Sequence, residues 1–227
     1  AQETEEIPRG AYLLTQFSVI VSYIRLLFLP INQNLDYDYP LAHSLFEPKT
    51  LLSFLLLLSI FTAVLYLFKH SQRTGNGYGL LTSFGILWFF ITLSVESSII
   101  PIRDVAFEHR LYLPSVGAII AFSSAVFYVL YYKKPKLSPL LAACALLVMF
   151  TVPLGINAYH RNSIWKDEVT LWGDVVRKSP NKARGHNNLG LAYYEKGRVE
   201  EAIQEYRTAL KLNPDYIEAH QNLGANY

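Results

Sequence analysis

TLLSFLLLLSIFTAVLYLF, residues 50–68, carries no charged side chain anywhere along its length. A helix rises about 1.5 Å per residue, so this run is long enough to cross a hydrocarbon core of ~30 Å. Residues 79–95, 115–132 and 137–158 are further apolar runs of spanning length. The last contains Pro153 and Gly155, which neighbouring helices can accommodate inside a bundle. Residues 11–29 carry Thr15, Gln16, Ser18, Ser22, Tyr23 and Arg25, so this amphipathic segment either crosses the bilayer or lies along its surface. A succession of apolar runs like this exceeds what one soluble core could bury as separate helices, and a signal peptide is single and shorter. The expected fold class is therefore all-α, a polytopic transmembrane helix bundle with a second helical part behind it.

Composition agrees with that reading. Of 227 residues, 52% are hydrophobic and only 17% charged, and the net charge of +2, with no long run of Lys or Arg, excludes a nucleic-acid partner. The single cysteine, Cys144, lies in an apolar run, which rules out an internal disulfide or a cysteine metal site. The histidines show no HExxH or other zinc spacing, and the chain has no G-x-S-x-G elbow, Walker loop or dinucleotide fingerprint. The chain starts AQETEEIPRG and stops within a repeat, so it reads as a fragment of a longer protein.

Short loops give an orientation. Lys69 and Arg73 lie in 69–78, and three lysines fill 133–136, so these loops are expected to face the cytoplasm. Loops 31–49 and 96–114, in which acids balance or outnumber bases, are expected outside, and parity then makes everything after residue 158 extracytoplasmic, in a periplasm or an endoplasmic reticulum lumen.

From Lys182 a 34-residue period appears: His186, Asn188, Leu189, Gly190 and Tyr193 recur as His220, Asn222, Leu223, Gly224 and Tyr227, with Ala202, Tyr206, Ala209 and Pro214 between them. This resembles the tetratricopeptide repeat. Gly190 and Ala202 are small where two helices would cross, and Leu189, Tyr193 and Tyr206 would fill the seam. IWKDEVTLWGDVVRK, residues 164–178, reads as a helix capping this α-solenoid, with Trp165 and Trp172 as packing residues. The expected domains are the bundle at 1–158, a connecting and capping helix at 159–181, and the repeats at 182–227, one full and one truncated.

Chemistry concentrates in two loops. ESSIIPIRDVAFEHRLYLP, residues 96–114, is too apolar for a solvated linker and too charged to cross a membrane, so it is expected to fold back over the outer mouth. Arg110, Arg103 and a protonated His109 are cations suited to a phosphate, and Glu108 and Asp104 are carboxylates suited to sugar hydroxyls. Equally, Arg110 could pair with Glu108 or Asp104 merely to neutralise buried charge. INQNLDYDYP, residues 31–40, sets Asp36 and Asp38 among tyrosines and prolines, a composition for carbohydrate contact or an ordered turn. The two aspartates could also take a divalent cation, but no third ligand follows by spacing. Asn188 and Asn222, one period apart, could hydrogen-bond a peptide backbone along a repeat groove, or simply accompany generic partner docking.

YLLTQFSVIVSYIRLLFLPINQNLDYDYP at 12–40, WFFITLSVESSIIPIRDVAFEHRLYLPSVG at 88–117 and the repeats together resemble membrane tetratricopeptide-repeat proteins related to protein O-mannosyltransferases. The resemblance implies a glycosyltransferase of the GT-C architecture. Such a protein transfers a sugar from a polyprenyl phosphate donor to Ser or Thr of a protein acceptor that the extracytoplasmic repeats present. It also implies a donor-site role for the Glu108-His109-Arg110 segment. The family's catalytic acid lies in an early extracytoplasmic loop upstream of these residues, so the chain alone is expected to be inactive. The competing expectation is a non-enzymatic, membrane-anchored scaffold whose repeats recruit a partner.

Overall fold

A computed structural model describes residues 7–95, 97, 101–102, 104–132 and 138–225. Among these the regular secondary structure is all helix. α1 (Arg9–Phe28), α2 (Pro48–Thr74), α3 (Gly77–Ser94), α4 (Tyr112–Phe127) and α5 (Pro139–Ile164) form the apolar part; α6 (Glu168–Lys178), α7 (Ala183–Glu195), α8 (Val199–Leu212) and α9 (Ile217–Gly224) form the polar part. A 3-10 turn, Glu108–Leu111, leads into α4, and a single π-helical turn, Tyr128–Tyr132, ends it. Arg103, the lysine turn at 133–136 and Tyr227 fall outside the described residues.

Local chemistry accounts for the boundaries. Pro48 and Pro139 open their helices where a missing N–H costs nothing, and Asn76 caps α3 by accepting from the Gly79 N–H at 3.3 Å. α2 runs past residue 68 to Thr74 because nothing in KHSQRT breaks a helix. α5 likewise passes unbroken through Pro153 and on to Ile164, carrying the apolar run straight into the connection to the repeats.

Among the described residues, four segments, Arg9–Phe28, Pro48–Thr74, Gly77–Ser94 and Glu108–Leu130, are long and apolar enough to cross a membrane. α2 leaves Leu52, Leu55, Leu56, Phe61 and Leu65 exposed, a surface suited to hydrocarbon rather than water. α3 and α4 cross at Gly85 and Gly117: a Cβ on either would lie 2.4 Å from the other's carbonyl oxygen, so only glycine allows this approach.

α1 differs from the other three. Its most apolar window is 44% buried, against 17–28% in the others, because chain rather than lipid covers it. Tyr12, Val19 and Tyr23 pack with Phe89 and Leu93 at the end of α3 and with Val105 and Ala106. Its polar residues are met by the two loops: Ala42 N–H donates to Thr15 Oγ1 at 2.8 Å, Gln16 Nε2 to the Val105 carbonyl at 3.3 Å, and Phe107 N–H to Tyr23 Oη at 2.8 Å. The amphipathic pattern of α1 is thus a docking face for both loops.

In the polar part, a Cβ on Gly190 would lie 2.7 Å from the Tyr206 ring, so the α7–α8 seam closes on a side chain of zero size facing a fully buried tyrosine. Ala202 and Ala209 are fully buried beside it. α6 packs as the preceding cap, Val175 lying against Gly185 of α7. The expectation for Trp165 needs correction. α6 begins only at Glu168, which leaves Trp165 in the turn after α5, 53% exposed and not in the repeat core.

Candidate functional site

The loop between α1 and α2, the loop between α3 and α4, and the α6–α7 junction meet on one side of the helices. Their meeting makes two neighbouring polar structures, a clasp and a pocket.

The clasp joins the loops to the repeats. Asp36, from the first loop, receives Lys182 Nζ at 2.6 Å and Arg184 Nε at 2.7 Å. Asp104, from the second, receives Arg184 Nη2 at 2.6 Å and Lys182 Nζ at 3.4 Å. Two carboxylates and two cations thus close a ring, with the Asp36 side chain only 4% exposed. Burial opposes the charge on Asp104, but hydrogen bonds and charge from Arg184 and Lys182 together outweigh it and hold its carboxyl below the ordinary 3.8. Hydrogen bonding to Asp36 pushes the Arg184 guanidinium further toward its charged form. Beside the ring, Ser179 Oγ donates to the Asp36 carbonyl at 2.8 Å and accepts from Asn34 Nδ2 at 2.8 Å and from Asp38 N–H at 2.9 Å. A hydroxyl has one donor and two acceptor sites, so Ser179 is saturated.

The pocket lies between the 3-10 turn, the α1–α2 loop and the end of α5. It has a volume of about 420 Å³, and its walls include Leu26, Gln33, Glu108, His109, Arg161 and Trp165. Tyr112 and Ser115 of α4 complete the side toward the apolar helices. Glu108 is committed to the first loop: it accepts from Asn34 N–H at 2.8 Å, Tyr37 Oη at 2.8 Å and Gln33 Nε2 at 3.1 Å. Burial first, and then the Glu108 carboxylate, push the Tyr37 hydroxyl's pKa up, so Tyr37 stays a donor. His109 lies tilted against Phe107, ring centres 4.9 Å apart, and faces the pocket.

The residues expected from sequence to form one donor site are distributed over three places. Glu108 and His109 line the pocket. Arg110 is buried and turned away from it: it donates to the Val105 carbonyl at 3.2 Å and the Asp104 carbonyl at 2.9 Å, and lies over the Phe107 ring. The alternative of an Arg110 ion pair with Glu108 or with the Asp104 carboxylate is corrected here, since these hydrogen bonds go to backbone oxygens and both carboxylates take other partners. Asp104 and Asp36 belong to the clasp; Asp38 is half-buried beside Ser179. In the repeats, Asn222 Nδ2 donates to Asn187 Oδ1 at 2.9 Å, and Asn187 Nδ2 to Asn188 Oδ1 at 3.3 Å, so the two expected amides are bridged by a third, buried one. Among the described residues no group of three or more His, Cys, Asp or Glu could hold a metal ion.

Sequence reasoning passed over Arg161, Gln33, Lys182 and Arg184 as site residues and took Trp165 for a packing residue of the cap. Arg161 lies at the end of a helix whose earlier turns are apolar, and this position was its one visible signal. Lys182 and Arg184 read as ordinary solvated charges of a repeat.

A family model described as TPR repeat matches residues 190–227. The chain is 28% identical over 231 residues to protein O-mannosyl-transferase TMTC1 of Mus musculus, covering 94% of this chain and 23% of that protein. It is 32% identical over 127 residues to protein O-mannosyl-transferase TMTC3 of Mus musculus, covering 56% of this chain and 13% of that protein. With protein O-mannosyl-transferase Tmtc1 of Drosophila melanogaster it shares 33% identity over 143 residues, 63% of this chain and 16% of that protein. The chain is related to these proteins and spans about a quarter or less of their length. No solved structure matches it.

Proposed function

We propose that this chain is the outer-mouth and repeat-docking part of an integral-membrane glycosyltransferase that moves a sugar, mannose by the names of its relatives, from a polyprenyl phosphate donor to Ser or Thr of a protein. The observation that carries this reading is the pocket of about 420 Å³, which combines a histidine and an arginine with the apolar Leu26 and Trp165 and the amphipathic Tyr112, beside helices of membrane-spanning length. A lipid phosphate needs a cationic site for its head and an apolar path for its tail, and this pocket offers both. His109, when protonated, is a donor for the phosphate or the sugar oxygen. Glu108, holding three donors, fixes the loop that forms one wall. The carboxylate that would deprotonate the acceptor hydroxyl belongs to another part of the protein, since Asp36 and Asp104 are committed to the clasp.

In this reading the repeats are extracytoplasmic, in the endoplasmic reticulum lumen or a periplasm, and receive the acceptor or a protein partner. The meeting of both outer loops with α6 and α7 supports a common side for loops and repeats. The test is transfer of a labelled sugar from polyprenyl phosphate donors to proteins in membranes with and without the whole protein. Donor-dependent labelling lost with the protein is the expected result; unchanged labelling across donors would sink the enzymatic reading in favour of a scaffold.

A further inference from the structure

Three cations converge on one carboxylate below the pocket. Asp174 of α6, its side chain 5% exposed, receives Arg161 Nη1 at 3.0 Å, Lys178 Nζ at 2.6 Å and the Arg177 guanidinium. Of these four charged side chains only Arg161 lines the pocket, so the others hold it from behind the wall. Arg161 and Lys178 are further pinned because both donate to the same carbonyl, that of Gln33, at 3.0 and 2.6 Å.

The geometry of Arg161 is specific. Nη1 makes both of its hydrogen bonds, and among the described residues Nε and Nη2 have none. The side chain is 15% exposed and lines the pocket, and a guanidinium so sheltered from water makes strong charge-assisted hydrogen bonds. The one carboxylate in the wall, Glu108, is already held by three donors. Arg161 comes from the apolar helix α5, whereas Asp174 comes from the helix that caps the repeats. The arginine is therefore held between the two parts of the molecule.

We infer that Arg161 is the anion-binding side chain of the pocket and that Asp174 is its positioning residue, so that the docked repeat domain completes a site for a phosphate-bearing lipid headgroup. This rests on the donor-pocket reading above and assigns the phosphate contact to a residue outside the charged loop. Asp174 fixes Nη1 and, with the Gln33 carbonyl, sets the plane of the guanidinium, leaving the outward edge to bind two oxygens of one phosphate. Leu26, Leu111 and Trp165 offer the first isoprene units an apolar wall.

The experiment is equilibrium binding of radiolabelled farnesyl phosphate to the whole protein in detergent, with farnesol and inorganic phosphate as competitors and thermal unfolding measured in every variant. Farnesyl phosphate should bind saturably and resist both competitors. Arg161→Gln should weaken binding about tenfold or more. Asp174→Asn should weaken it severalfold without altering lining chemistry, Arg161→Lys should recover part of the loss, and Arg177→Gln should change it little. If Asp174→Asn does not fold, Asp174→Glu, which moves the charge by one methylene, takes its place. Wild-type affinity in Arg161→Gln would overturn the assignment and leave the donor pocket standing, whereas wild-type affinity in the folded Asp174 variant would overturn the positioning role alone. Competition by inorganic phosphate as strong as by farnesyl phosphate would overturn the lipid class, and equal competition by farnesol would overturn the anion site. Absence of any farnesyl phosphate binding to the wild type would remove both this assignment and the donor-pocket reading.

Discussion

The clasp and the cluster behind the pocket wall are built from the same kinds of side chain and differ in how completely their charges are spent. In the clasp, Asp36 and Asp104 face Lys182 and Arg184, two against two, and Ser179 uses all three of its hydrogen-bonding sites. Behind the pocket wall Asp174 faces three cations, of which Arg161 alone lines the pocket and keeps donors in reserve. A saturated cluster can only hold parts together, because any ligand would have to displace a native partner. An unsaturated one carries a local field and open donors, which is what an anionic ligand requires.

This contrast can be broken by substitution. Asp36→Ala leaves Lys182 and Arg184, both partly buried, with only Asp104 between them. Removing one partner of a buried pair costs about 3 kcal/mol or more, so the repeats should loosen from the bundle. Proteolytic cleavage and hydrogen exchange in residues 178–184 should accelerate while the helices persist; unaltered protection would show that the clasp does not dock the repeats. Gly190→Ala lies in the repeat and touches neither cluster: its Cβ meets the Tyr206 ring at 2.7 Å, and overpacking there should cost about 1–3 kcal/mol. Thermal unfolding should detect that loss, and ligand binding below the transition should not.

A pH series sharpens the comparison. Asp104 has a lowered pKa, so its contribution to docking is fully present above 3.8 and disappears as pH falls through its folded value. The Asp104 arm of the clasp should therefore survive mild acid that protonates ordinary carboxylates. His186 acts in the opposite sense. Burial disfavours its charge, but the Glu205 carboxylate at 2.6 Å and the Pro180 carbonyl at 2.9 Å more than compensate and raise its pKa above 6.5. Its stabilisation is full below pH 6.5 and is lost as pH rises through the folded value, so the repeats should be more stable at pH 6 than at pH 9. In Glu205→Gln that difference should shrink; an unchanged pH slope would clear the pair of this role. The smallest effect on stability is expected at Trp165→Ala. With its side chain 53% exposed the change should stay within about 0.5 kcal/mol in thermal unfolding, while farnesyl phosphate binding weakens measurably.

Much of this molecule was readable without coordinates, and the limits are instructive. Residues 50–68 announced α2 because a long uncharged run has one cheap environment, and Gly190 announced the α7–α8 crossing because the repeat places a small residue at a fixed phase. The helix ends were less legible: KHSQRT after residue 68 reads as loop by polarity and is helix by propensity. Of the charged loop, Glu108 and His109 reached the pocket and Arg110 did not, because in a 3-10 turn successive side chains diverge and a buried guanidinium takes the nearest carbonyls.

By itself the sequence determined the local and periodic properties of the protein: which segments are apolar enough for a membrane, that a 34-residue helical repeat follows, and that one loop between the membrane helices carries charge. The tertiary structure alone decided which charges meet. Asp36 and Arg184 are 148 residues apart, and Gln33 and Lys178 are 145. No spacing rule reaches that far, since each pair forms only when α5 carries the chain back to the loops and the repeats dock. The physical reason is that hydrophobic pattern is a property of one segment, whereas charge compensation is a property of the place where several segments end.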